Sequence, residues 1–186
     1  TSSYTRKKPK QSLASREFMK VYPNITVVDD NDTVIGCMQL PEALAKGLNR
    51  RISAVIIINE AGSILLQKRA SGILSPNTFD FSAGGHVNEG DDYLSAAYTE
   101  LSEELGIKDA VLELVTPPFR ILDMFISVYK AFVLNDISII VDPEEVSGVL
   151  WVSFEELNNM ITSDPAQFAK PFIESWPCVR DKLISI

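Results

Sequence analysis

The sequence predicts an α/β domain of the α+β kind, a mixed β-sheet with helices packed against it. Residues 52–58 form a nearly continuous β-branched apolar run, the pattern of a strand covered on both faces. Residues 92–105 repeat apolar side chains at intervals of three and four, the pattern of a helix with one face on a core. Short β-prone runs separated by turn residues fill much of the remainder, with no internal repeat and no sustained heptad.

The first such runs, residues 25–28 and 33–38, flank Asp29, Asp30, Asn31 and Asp32, whose side chains favour turns, and together read as a hairpin. Pro41 suits a first helical position, so residues 42–48 are expected to form a short helix closed by Gly47. The strand over 52–58 is expected at the centre of the sheet; it turns at 59–62 and returns over 63–69, ending in Lys68 and Arg69. Residues 70–79 are rich in Ser, Gly, Pro and Asn and read as loop, and 80–87 as extended chain containing Gly84 and Gly85. In the helix over 92–105, Leu94, Ala97, Tyr98, Leu101 and Leu105 form the apolar stripe, Asp91 or Asp92 caps the start, and Gly106 stops the end. Strands are expected over 111–115, 119–134 and 137–141, broken by Pro117 with Pro118 and by Asn135 with Asp136, and another over 149–152. Helices over 153–161 and 165–183 complete the chain, the last interrupted by Pro171 and Pro177.

A chain of 186 residues fits one core plus a tail. The tail is expected over residues 1–20, where Arg6, Lys7, Lys8, Lys10, Arg16 and Lys20 face only Glu17, and is read as disordered; residues 21–186 are expected to form a single domain. Because the net charge is −8 despite that basic end, the body is strongly acidic, which makes a nucleic-acid backbone an unsuitable main partner. No apolar run is long enough to span a bilayer, and the N-terminus shows no apolar signal core. Cys37 and Cys178 form neither a zinc pattern nor a disulfide framework and read as buried thiols in a reducing compartment, so a cytoplasmic protein is expected. With His86 as the single histidine, mechanisms needing two imidazoles are excluded; His86 itself reads as a strand residue beside the glycines. Phe79, Phe81, Phe125 and Tyr129 read as core, with a base-stacking platform as the alternative.

The chemistry must therefore come from carboxylates. At 100° per residue, Glu100, Glu103 and Glu104 fall within roughly a 100° arc at the border of the apolar stripe. They sit in the last turns, where the helix dipole is already negative, and no basic residue lies one turn before any of them. A hard divalent cation offsets that repulsion, since Mg²⁺ takes oxygen ligands from a few carboxylates together with substrate phosphates. A solvated acidic face neutralised by partners such as Lys108 is the alternative.

The segment GHVNEGDDYLSAAYTELSEELGI, residues 85–107, resembles the Nudix box G-x5-E-x7-R-E-U-x-E-E-x-G-U, with U aliphatic. Gly85, Glu100, Leu101, Glu103, Glu104, Gly106 and Ile107 match without a gap, while Asp91 replaces Glu and Thr99 replaces Arg. Over residues 25–160 the chain is similar to the Nudix subgroup related to isopentenyl-diphosphate isomerase, carrying VDDNDTVIG, FDFSAGGHV and EEVSGVLWVSFEEL. The isomerases' catalytic Cys is replaced here by Gly84, an upstream metal-binding His by Arg50, and the region of a later catalytic Glu reads MFISVYKAF, so isomerisation is disfavoured.

The resemblance implies a Nudix-like α/β/α sandwich and a pyrophosphohydrolase cleaving a diphosphate linkage in a nucleoside diphosphate derivative or related small metabolite. It implies that Glu100, Glu103 and Glu104 hold Mg²⁺ or Mn²⁺ with help from the Gly85 carbonyl, and that Glu104 or Glu103 activates the water. Glu145, in the loop before a W-V-S strand, is a second candidate, its alternative being the acidic first turn of a short helix capped by Asp142. Lys68 and Arg69 are candidates to hold a substrate phosphate, and Lys68, Arg69 or Arg120 to replace the cation missing at Thr99. A catalytically weak nucleotide-binding protein is the alternative function, and a homodimer is compatible with the sequence.

Overall fold

The computed structural model describes residues 23–184; the expected basic tail lies outside the described residues. Its axis is β3, Asn49–Asn59, whose apolar run is buried on both faces as expected. One edge of β3 pairs in parallel with β8, Met124–Val133, from Arg50 to Asn59. The other edge is shared antiparallel by β1 (Asn24–Val28) near Arg50, by β6 (Ala83–His86) over Ile52 to Val55, and by β4 (Ile64–Arg69) at Ile58. β4 pairs with β3 only through Ile58 and Ile64, then continues between β5 (Phe79–Asp80) and β9 (Val146–Val152). The expected hairpin is β1 with β2, Val34–Gln39, followed by the short helix α1, Leu40–Ala45, with Pro41 in its first turn.

Alternation along the strands builds two cores. Ala54, Ile56, Ile58, Ile64 and Leu66 face α4 (Lys170–Ile184), where Phe172, Trp176 and Val179 meet them. Val55, Ile57 and Leu65 face α2 (Tyr93–Leu105), against Ala97, Leu101 and Leu105. The result is an α/β/α sandwich, completed by α3 (Phe154–Ser163), which Ser153 and Glu156 cap reciprocally. Among the described residues no helix is long and apolar enough to cross a membrane.

Several expectations are corrected. Residues 119–134 are not one strand: β7, Glu113–Ile121, turns at Leu122 and Asp123 and returns as β8. Pro117 and Pro118 lie inside β7 rather than ending it, at a register shift between Thr116 and Phe119; among the described residues β7 pairs only with β8, and such an edge tolerates the missing donors. Residues 137–141 form no strand: the Ile137 N–H closes a turn on the Leu134 carbonyl, and the Ile140 N–H goes to the Leu105 carbonyl at a helix end. Pro171 sits in the first turn of α4 and Pro177 inside it, and neither ends the helix; residues 165–167 form a separate 3-10 turn. Leu94 and Tyr98 are exposed, and the buried side of α2 instead takes Tyr93 and Ala96, small alanines allowing close approach to the sheet. Cys37 and Cys178 are exposed, the first on the outermost strand β2, which is open on both faces, the second on the outer side of α4.

Candidate active site

The start of α2 is fixed by Asp92, not Asp91: its carboxylate accepts from the Ser95 N–H at 2.7 Å while the Ser95 hydroxyl accepts from the Asp92 N–H at 2.9 Å. Its end is fixed by Gly106 at φ 69°, whose N–H reaches the Leu101 and Ser102 carbonyls. No basic residue stands in the last turn. Two carbonyls of that turn are taken up by the passing chain, Leu105 by the Ile140 N–H at 2.9 Å and Glu104 by the Asp142 N–H at 3.1 Å. Asp142 then forms a tight turn, its side chain accepting from the Glu144 N–H at 2.9 Å and its carbonyl from the Val146 N–H at 2.8 Å. Glu145 is thereby carried to the acidic end of α2, in a turn rather than the short helix considered from the sequence.

Glu100, Glu104 and Glu145 each place a ligand oxygen within 4.8 Å of the others. Glu104 is 2% exposed, and its Oε2 accepts from the Gly84 N–H at 2.8 Å and from Gln67 Nε2 at 3.1 Å. Glu100 lies against Gly85, where any Cβ would overlap its carboxylate. Glu103 lies outside this group and is exposed, though close enough for its charge to act on Glu100.

Burial pushes the Glu100 carboxyl up to about 8, helped by the charges of Glu145 and Glu103 and opposed by Arg69. Glu104 is held well above the carboxylate range by burial and then by Glu100, against the Gly84 hydrogen bond. Of the three cations considered as substitutes for a box arginine, Arg69 is the one whose charge reaches Glu100. It is tied to Asp80 at 3.1 Å and to the Leu74 carbonyl at 2.8 Å. Lys68 is exposed on the opposite side of β4, with Nζ 5.5 Å from the Phe79 ring centre, and Arg120 pairs with Asp30 at 2.9 Å. The Thr99 hydroxyl donates to the Ser95 carbonyl at 3.1 Å, within its own helix.

Beside the acids lies a cavity of about 290 Å³, with Ile52, Ala54, Phe81, Met124 and Ile126 among its apolar lining and Gln67, Arg69 and Gly85 on the side of α2. Arg50, 3% exposed, also lines it and is paired with Asp123 through contacts of 2.8 and 3.2 Å. Its Nε donates to His86 Nε2 at 3.3 Å. Burial, with the charges of Arg50 and Arg69, pulls the imidazole down to about 4, so His86 stays neutral and its Nε2 is already engaged. The four aromatics considered as a platform divide between faces, Phe79 and Phe81 toward α4 and Phe125 and Tyr129 toward α2.

The sequence reading passed over Gln67, Asp80, the Gly84 N–H and the Arg50–Asp123 pair. Gln67 and Arg50 had a signal: each is a polar residue at the end of a strand whose other positions are largely apolar. The Gly84 N–H, a backbone group, had none.

Residues 48–174 match the NUDIX domain, and the chain belongs to that family. An uncharacterized Nudix hydrolase of Pseudomonas aeruginosa is 39% identical over 89 residues, 47% of this chain; the chain spans about half, 53%, of that relative's length. The isopentenyl-diphosphate Delta-isomerase of Pectobacterium atrosepticum is 32% identical over 158 residues, 80% of this chain and 86% of that protein. The crystal structure of DR0079 from Deinococcus radiodurans has the same fold, with a TM-score of 0.73 at 24% identity over 84% of this chain and 98% of that one. Position 84, which takes the place of the Cys that the isomerase resemblance implies, has little room for a side chain: a Cβ there would stand 2.9 Å from the Ser53 carbonyl oxygen and 3.3 Å from Ala54 Cα.

Proposed function

We propose that the protein is a metal-dependent pyrophosphohydrolase that opens a diphosphate linkage, in a nucleoside diphosphate derivative or related small metabolite, by attack of water at phosphorus. The observation that carries this reading is the meeting of Glu100, Glu104 and Glu145 within 4.8 Å at the negative end of a helix. Three buried or half-buried oxygen donors, two of them, Glu100 and Glu104, with raised proton affinity, fit Mg²⁺ or Mn²⁺, hard ions that prefer carboxylate oxygen. These three would hold the ion, with the Gly85 carbonyl contributing. When bound, such an ion polarises the phosphoryl oxygens and lowers the pKa of an attacking water.

The remaining tasks belong to the chain. Gly84 and Gln67 hold Glu104 in one orientation through Oε2. Glu103, exposed at the rim, is the carboxylate left to take the proton from water. Arg69, which lines the cavity, would face a substrate phosphate from that side.

A second reading of the organic half is favoured by the lining of the cavity. Ile52, Ala54, Met124 and Ile126 are aliphatic or thioether side chains, and Phe81 beside them is buried edge-on against Phe172, so the lining suits a short apolar group. The Pectobacterium relative, named for isopentenyl diphosphate, points the same way.

The test is a panel of nucleoside diphosphate derivatives and isopentenyl diphosphate, with Mg²⁺ or Mn²⁺ and chromatographic detection of the monophosphate products as readout. At least one should turn over, and Glu104→Gln should lower kcat at least roughly 100-fold. Turnover of none, or full turnover by Glu104→Gln, overturns the proposal; the preferred member of the panel decides between the two organic halves.

A further inference from the structure

Gln67 is 1% exposed on β4, between the acidic group and the cavity. Its Nε2 donates to Glu104 Oε2 at 3.1 Å, which fixes the amide and leaves Oε1 as the acceptor. That Oε1 is buried with no hydrogen-bond partner among the described residues. A buried amide oxygen facing nothing is uncommon and costly, so it points to a donor that arrives with a ligand. Leu65, two residues earlier on the same side of β4, is an ordinary core residue, so an apolar side chain at 67 would fill the position without this cost. The neighbouring carboxylates can hold only a cation, and a hard cation keeps several waters, each an O–H donor.

We propose that Gln67 is a positioning residue of the cation site: Nε2 holds Glu104, and Oε1 accepts a hydrogen bond from a donor in the filled site. That donor is a water of the ion or an O–H or N–H group of the substrate. The inference rests on the function proposed above, and Gln67 touches neither the reacting phosphorus nor the ion itself.

Mn²⁺ alone is the probe, titrated by electron paramagnetic resonance into the metal-free wild type, Gln67→Met and Gln67→Asn. Met keeps the volume but removes both polar atoms; Asn keeps the amide but is too short to reach Glu104. With the ion's water as donor, both variants bind Mn²⁺ roughly 10- to 100-fold more weakly. Metal-free melting temperatures stay within about 3 °C of wild type, a separation that a merely structural residue would not give. If Mn²⁺ affinity falls only slightly while KM at saturating Mn²⁺ rises tenfold or more, the donor belongs to the substrate and the positioning role stands. Unchanged Mn²⁺ affinity together with unchanged KM in both folded variants overturns the inference. Failure of the wild type to take up Mn²⁺ overturns the cation site itself, an outcome distinct from indifference to position 67.

Discussion

A single methyl group at position 85 would displace the Glu100 carboxylate, because a Cβ built there overlaps it. The overlapping atoms are the far end of the Glu100 side chain, which would have to swing away from Gly85 and so leave its place beside Glu104 and Glu145. Gly85→Ala is therefore expected to weaken Mn²⁺ binding at least roughly tenfold in a direct titration, with a small change in melting temperature. Unaltered affinity would show that Glu100 is not a ligand. At the same scale the site was legible in its acids and opaque in their supports. Glu100 and Glu104 could be picked out because charge clustered at a helix end is visible in one dimension, whereas Glu145 was pointed to by the family resemblance. Gln67 showed only as a polar residue in an apolar strand, and the Gly84 N–H not at all, since their significance comes from two strands that converge on Glu104 from distant parts of the chain. Glu103, equal to its neighbours in the motif, differs from them only in three dimensions, by projecting to solvent.

Helix α2 is closed at its C-terminal end by Gly106 at φ 69°, with Ile140 packed close behind: a Cβ on Gly106 would come within 3.1 Å of Ile140 Cβ. Gly106→Ala should thus cost about 1–2 kcal/mol from the left-handed conformation alone, lowering the melting temperature by roughly 2–8 °C. It should also lower activity, because the segment that carries Ile140 delivers Glu145; a variant that melts and turns over like the wild type would contradict this. The helix itself was plain from its periodicity, and so was the continuous apolar strand β3. Residues 137–141 were not: β-prone composition describes what a segment favours alone, whereas here the N–H groups of Ile140, and of Asp142 just after it, are recruited by carbonyls left open on α2. The Pro117–Pro118 pair misled in the opposite sense, since a strand with a single neighbour can carry prolines that a central one cannot.

For the whole molecule, the crowded acids couple stability to pH and to metal. Glu100 gives up its proton at about 8 in the folded protein against 4.5 for a free glutamate, and Glu104 shifts in the same direction. Between those limits the folded state binds more protons than the unfolded chain, so the metal-free protein loses stability as pH rises from about 4.5 to 8. Melting curves in EDTA should fall across that window, and Glu100→Gln should flatten them. Saturating Mn²⁺ should raise the melting temperature by roughly 5–10 °C at pH 8 and by less at pH 6, where protons compete for the same oxygens. A metal-free curve that rises with pH through this range, unaffected by Glu100→Gln, would refute the coupling. The division of the three acids has one more consequence. Two are borne by α2, whereas Glu145 arrives on a separate stretch of chain tied to that helix end by two backbone hydrogen bonds. Lengthening or shortening the connection after β8 would change the reach of the third carboxylate while the motif stays letter for letter the same, so a chain could keep a perfect signature and yet lose its grip on the ion.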